Sequence, residues 1–66
     1  MKVWLNGVEH ELPDGAAVTD ALAAIGAPGS GVAVAVDDDV VPRAGWAGYA
    51  LREGARVEVL TAVQGG

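Results

Sequence analysis

The chain has 66 residues, of which 52% are apolar, with no cysteine and a net charge of −5. That length bounds it to one domain with a small core and no room for a deep catalytic pocket. The missing cysteines remove disulfides, thiol nucleophiles and cysteine metal sites. The scattered Lys2, Arg43, Arg52 and Arg56 make no nucleic-acid surface, while a basic protein partner suits the charge.

Met1 to Leu5 alternates apolar and polar residues, as a half-buried strand does. Asn6-Gly7 follows, the strongest short signal for a hairpin, and Val8 to Leu12 returns. A two-residue loop sets the register: Leu5 faces Val8, Trp4 faces Glu9, Val3 faces His10 and Lys2 faces Glu11. Opposed residues share a face. Met1, Val3, Leu5, Val8, His10 and Leu12 are therefore expected on the core side. Lys2, Trp4, Glu9 and Glu11 are expected outside, with Lys2 attracting Glu11.

Pro13-Asp14-Gly15 is a turn. A helix is predicted over Val18 to Ile25, because Val18, Leu22 and Ile25 follow an i, i+4, i+7 spacing with Ala21 between them. Asp20 suits its first turn, Gly26 closes it and Pro28 stops it resuming. Val32 to Val36 is a third strand, with valines on one face and alanines on the other. Asp37-Asp38-Asp39 is read as the next turn, and Val40-Val41 as a short strand stopped by Pro42, which suits a sheet edge. Arg43 to Leu51 is predicted irregular or a single helical turn, with Trp46 and Leu51 plugging the core. Glu53-Gly54 turns the chain into its last strand, Arg56 to Val63, with Val57 and Val59 inward and Glu58, Leu60 and Ala62 outward.

One short helix can cover one face of one sheet. The predicted class is α+β: a mixed sheet of four to five strands with the main helix packed on one face. The first strand is expected beside the last and parallel to it, the middle of the chain supplying the crossover. Residues 1–66 make a single domain in this reading, with 62–66 an extended tail. Glycine gives a strand nothing to pack, so Gly65-Gly66 is poor structural material. It makes sense if the useful group is the Gly66 carboxylate, and if that group must pass a gap too narrow for side chains.

The other polar candidates read as structural. His10 is the only histidine, and one imidazole makes neither a triad nor a zinc site. Three consecutive aspartates point in different directions, so Asp37-Asp38-Asp39 is a solvated turn and not a cation loop. The stretch from Gly26 to Gly31 follows a helix instead of opening one and has no lysine, which argues against a phosphate cradle. No apolar run reaches the roughly 20 residues of a membrane helix. Met1-Lys2 leads into a strand pattern and not a signal peptide, so a cytoplasmic location is expected.

The pattern resembles the β-grasp fold of ubiquitin-like proteins. The resemblance is most specific to the ThiS family, the sulfur carriers of thiazole (thiamine) biosynthesis. Leu5-Asn6-Gly7, Glu11 to Gly15, Val32 to Val36, Val40-Val41-Pro42-Arg43 with Trp46, Leu51 to Gly54, Val57-Glu58-Val59 and Thr61 to Gly66 carry it over the whole chain. Two departures stand out. Ala17 replaces the family's usual cap-forming Thr before the helix, with Thr19 expected to compensate. Asp37-Asp38-Asp39 replaces an Asn-Gly-like turn. Neither touches the tail.

The resemblance implies a carrier and not an enzyme, with no cofactor of its own. An E1-like adenylyltransferase of the ThiF type would use ATP to convert the Gly66 carboxylate to an acyl-adenylate. Sulfur from a persulfide donor would replace AMP and leave a thiocarboxylate. A thiazole synthase of the ThiG type would then take the sulfur. Val63, Gln64 and Gly65 would thread the partner's cleft, five extended residues from Ala62 spanning about 17 Å at roughly 3.3 Å each. The docking face is expected on the outer sheet, where Trp4, Leu60 and Ala62 point, with Ala33 and Ala35 near them. Relatives with the same chemistry serve molybdopterin, cysteine synthesis or tRNA thiolation. A ubiquitin-like conjugation tag or binding module is the other alternative.

Overall fold

A computed structural model describes residues 1–61. Its elements are β1 (Lys2–Leu5), β2 (Val8–Glu11), α1 (Val18–Ala24), β3 (Val32–Val36), β4 (Asp39–Val41), a 3₁₀ turn (Arg43–Gly45) and β5 (Arg56–Thr61). The strands form one sheet in the order β2-β1-β5-β3-β4. β1 and β5 run parallel, and the other neighbours are antiparallel. This is the mixed sheet with one helix that the sequence predicts.

The first hairpin has the register set by its two-residue loop, Lys2 opposite Glu11 through Leu5 opposite Val8. Asn6 and Gly7 both take positive φ, 51° and 83°, the mirror-image turn whose twist matches the strands. Two details differ from expectation. Val8 is 59% exposed and not core, because it sits at the hairpin tip beside the turn. Lys2 pairs with Glu9 at 3.5 Å, the diagonal neighbour, and not with Glu11. Glu11 instead meets the Met1 amine at 3.0 Å.

Ala17, the residue before α1, has no side-chain acceptor to cap the helix. The expected compensation by Thr19 is not what occurs. The Asp20 carboxylate reaches back and accepts from the Ala17 N–H at 2.8 Å, half of a capping box. The helix ends one residue earlier than predicted, with Ile25 as its cap residue. Gly26 takes φ 67°, so the Ala27 N–H reaches the Leu22 carbonyl at 2.9 Å and the Gly26 N–H reaches Ala23 at 3.2 Å. Those two bonds satisfy carbonyls that a helix end would otherwise leave open.

β3 buries Val34 and Val36 and turns its alanines outward. Asp37 and Asp38 alone make the next turn, at φ 49° and 73°. Asp39 is therefore a strand residue opposite Val36, and not the third turn residue. Pro42 ends β4. The chain then dips inward so that Trp46 and Leu51, each 5% exposed, close the core. The Trp46 indole donates to the Val41 carbonyl at 2.8 Å, which satisfies its one polar atom. Val3, Leu5, Val18, Val34 and Val57 form the deepest part of this layer between helix and sheet.

Candidate functional site

β5 lies in the middle of the sheet, held between β1 and β3, and leads toward the glycines. Gly66, with Ala62, Val63, Gln64 and Gly65, lies outside the described residues. The part of the expected site that the structure describes is the outer face of the sheet.

Alternation fixes that face. Leu5 and Val57 pair and are buried, so the adjacent pair Trp4 and Arg56 faces outward. Leu60 has the same parity as Arg56 and is 67% exposed; Trp4 is 38% exposed. Both residues therefore face as the sequence predicts, on neighbouring strands. They do not form one contiguous patch. Trp4 is level with Arg56, and Leu60 is four residues further along β5, about 13 Å at the strand rise. Arg56 and Glu58 lie between them.

Trp4 instead walls a shallow cleft of about 330 Å³ with Gly7, Asp38, Arg56 and Glu58. The Arg56 guanidinium meets Asp38 there at 3.7 Å, an exposed pair of little energetic weight. Leu60 has different neighbours. It stands opposite Ala33, and Ala35, next along that face, stands opposite Val40. Val40 is 77% exposed, the most exposed large apolar side chain among the described residues. The apolar part of the outer face is thus Leu60, Ala33, Ala35 and Val40, toward β4, with Trp4 apart on β1.

Sequence reasoning missed Val40. The signal was available: a two-residue Asp37-Asp38 turn sets Val36 opposite Asp39, hence Val41 inward beside Val34 and Val40 outward. Reading three aspartates as the turn hid that parity.

The Met1 amine bonds Glu11 at 3.0 Å and the Leu12 carbonyl, and has Asp14 at 3.4 Å. The Glu11 hydrogen bond lifts its pKa above the ordinary 8.0; desolvation opposes this, and the charges of Glu11 and Asp14 reinforce it. Asp37 and Asp38 are engaged with Arg56, by backbone and guanidinium respectively. Among the described residues, no three His, Cys, Asp or Glu side chains gather to hold a metal ion. No helix among them is long and apolar enough to cross a membrane. What this face can offer chemically is recognition: aliphatic contact area, one aromatic edge and a few charges around them.

Comparison with known proteins adds the rest. The chain is similar to a thiamine biosynthesis protein (ThiS) from Geobacter metallireducens in its crystal structure, at 25% identity and TM-score 0.82 over 100% of both chains. It is similar to a solution structure of a thiamine biosynthesis protein from the same organism at 26% identity and TM-score 0.77, covering 100% of this chain and 88% of that one. No curated protein matches it. A model of the ThiS family matches residues 3–66, so that the match takes in all of β1 but Lys2, the outer face and both final glycines. The chain belongs to the ThiS family, the small sulfur carriers of thiamine biosynthesis.

Proposed function

We propose that this protein carries sulfur on the carboxylate of Gly66 and delivers it to a thiazole synthase. The observation that carries the reading is the extent of the family match, which runs through Gly65 and Gly66. The chemistry explains why such a carrier needs partners and few side chains of its own. A carboxylate resists nucleophilic attack because it is already negative. An adenylating partner of the E1-like, ThiF type removes that obstacle. A Gly66 oxygen attacks the α-phosphorus of ATP, pyrophosphate leaves, and the acyl-adenylate carries AMP as a leaving group. The terminal sulfur of a persulfide donor then displaces AMP. A thiol then attacks the donor-side sulfur of the resulting acyl disulfide, forms a new disulfide with the donor and releases a thiocarboxylate, a soft anion suited to attack on an electrophilic carbon.

ATP, metal and nucleophile belong to the partners in this scheme. The carrier supplies a reachable end and a surface to be recognised by. Val63, Gln64 and Gly65 are the residues proposed to enter the partner's cleft, where glycine avoids steric conflict. Leu60 and Ala62, with Ala33, Ala35 and Val40 beside Leu60, are the proposed docking face. Trp4 is a second contact across Arg56 and Glu58.

The test is ATP–pyrophosphate exchange with a ThiF-type enzyme. The full chain is expected to support exchange, and a chain lacking Gly65-Gly66 to support none at an unchanged melting temperature. Equal exchange by the shortened chain would contradict the reading.

A further inference from the structure

β5 needs partners along both edges, and its two neighbours are too short to supply them throughout. β1 ends at Leu5 and β3 at Val36. Beyond each end, the first residue of a tight turn takes over. Asn6, at φ 51°, gives its backbone N–H to the Val57 carbonyl at 2.9 Å. Its side chain then does what a further β1 residue would do. Its Oδ1 accepts from the Val59 N–H at 2.7 Å, and its Nδ2 donates to the Val59 carbonyl at 3.2 Å. Asp37, at φ 49°, serves the opposite edge and the opposite end of β5. Its backbone N–H donates to the Arg56 carbonyl at 2.8 Å, and its carboxylate accepts from the Arg56 N–H at 3.0 Å.

The two positions demand different chemistry. At Asp37 the backbone supplies the donor, so the side chain only has to accept, and a carboxylate suffices. At Asn6 the backbone N–H is already spent on Val57, so the side chain must both donate and accept. An ionised carboxylate cannot do both, whereas a carboxamide does so with two adjacent atoms. This is why an aspartate is tolerated at the β3–β4 turn and would not serve at the β1–β2 turn.

We infer that Asn6 is a positioning residue: its carboxamide replaces the missing β1 residue opposite Val59 and fixes the line of β5 up to Thr61. The inference rests on the carrier reading for its consequence, since the reacting carboxylate lies five residues beyond Thr61. A β5 end that is held in one direction presents that carboxylate to an adenylating enzyme with less conformational loss on binding.

The test pairs Asn6→Gly with Asp37→Gly, because glycine keeps the positive φ of each turn and removes only the side chain. Amide hydrogen exchange reads the clasp directly. In Asn6→Gly the Val59 amide is expected to exchange about tenfold faster, with Val34 unchanged. Asn6→Asp keeps the acceptor, loses the donor and sets a carboxylate against the Val59 carbonyl oxygen; Val59 exchange is expected to rise there too. In ATP–pyrophosphate exchange, Asn6→Gly is expected to raise the carrier's KM about threefold or more with kcat unchanged. Asp37→Gly removes a comparable contact at the far end of β5 and is expected to leave KM alone. Val59 exchange at the wild-type rate in Asn6→Gly, or an equal rise in KM for Asp37→Gly, would overturn the inference. Should the wild-type chain support no adenylation at all, the carrier reading falls, while amide exchange still decides whether Asn6 holds β5.

Discussion

Replacing Trp46 by phenylalanine tests how the loop between β4 and β5 is held. Trp46 is 5% exposed, and its Nε1–H donates to the Val41 carbonyl at 2.8 Å. Phenylalanine keeps a ring in the core and deletes that bond, at about 0.5–1.5 kcal/mol. The ring also shrinks by roughly 40 Å³, which adds about 1 kcal/mol at ~24 cal/mol per Å³ of unfilled space. The sum is about 1.5–2.5 kcal/mol. A chain of this length holds roughly 3–10 kcal/mol in all, so the melting temperature should fall by about 6–20 °C. Urea unfolding followed by far-UV circular dichroism is the suitable assay, because removing a tryptophan alters the fluorescence baseline. The midpoint should drop with the slope m unchanged. Trp46 packs on the helix side, beside Leu22 and Arg43, and away from the outer face. Folded Trp46→Phe should therefore be adenylated at the wild-type rate. An unchanged midpoint, or slow adenylation in a fully stable variant, would refute the assignment of Trp46 to the core alone.

Three more expectations follow from the same geometry. Leu60→Asp changes a side chain that is 67% exposed, so it should cost about 0.5 kcal/mol or less yet lower kcat/KM for adenylation about tenfold; parallel losses in both would argue against docking there. Ala17→Thr gives α1 the side-chain cap it lacks, completes the capping box with Asp20, and should raise stability by about 1 kcal/mol in urea unfolding. The Met1 amine has a pKa raised in the folded state, so its contribution is full below the unfolded value near 8.0 and is lost as pH rises through the higher folded value. Between pH 7 and pH 10 the urea midpoint should therefore fall more for the free amine than for an N-acetylated chain, and equal falls would contradict the Glu11 bond.

The parts of the fold legible in the sequence are those fixed locally. Asn6-Gly7 names its own turn positions, so the register of the first hairpin followed at once. Gly26 and Pro28 marked the helix end within a residue, since a left-handed glycine leaves few alternatives. Trp46 stood out as a large apolar residue after a proline-stopped strand. The second hairpin was harder. Aspartate tolerates a left-handed backbone only moderately well, so three in a row did not announce which two would turn, and Val40 changed faces with that choice. The spacing of Trp4 and Leu60 was harder still. A parallel pair has no turn to set its register, and the level of β1 against β5 depends on the packing of the whole intervening chain. The sequence marks Asn6 as a turn former only, because what its side chain bonds lies 53 residues away.

The most direct measurement is the intact mass of the chain after incubation with ATP, a ThiF-type adenylating enzyme, a persulfide sulfur source and a thiol reductant. A gain equal to the difference between sulfur and oxygen is expected, located by fragmentation at Gly66 and abolished when Gly65-Gly66 are removed. An unchanged mass with an adenylating enzyme that loads another ThiS-family carrier in the same assay, or sulfur found on any residue other than Gly66, would contradict it.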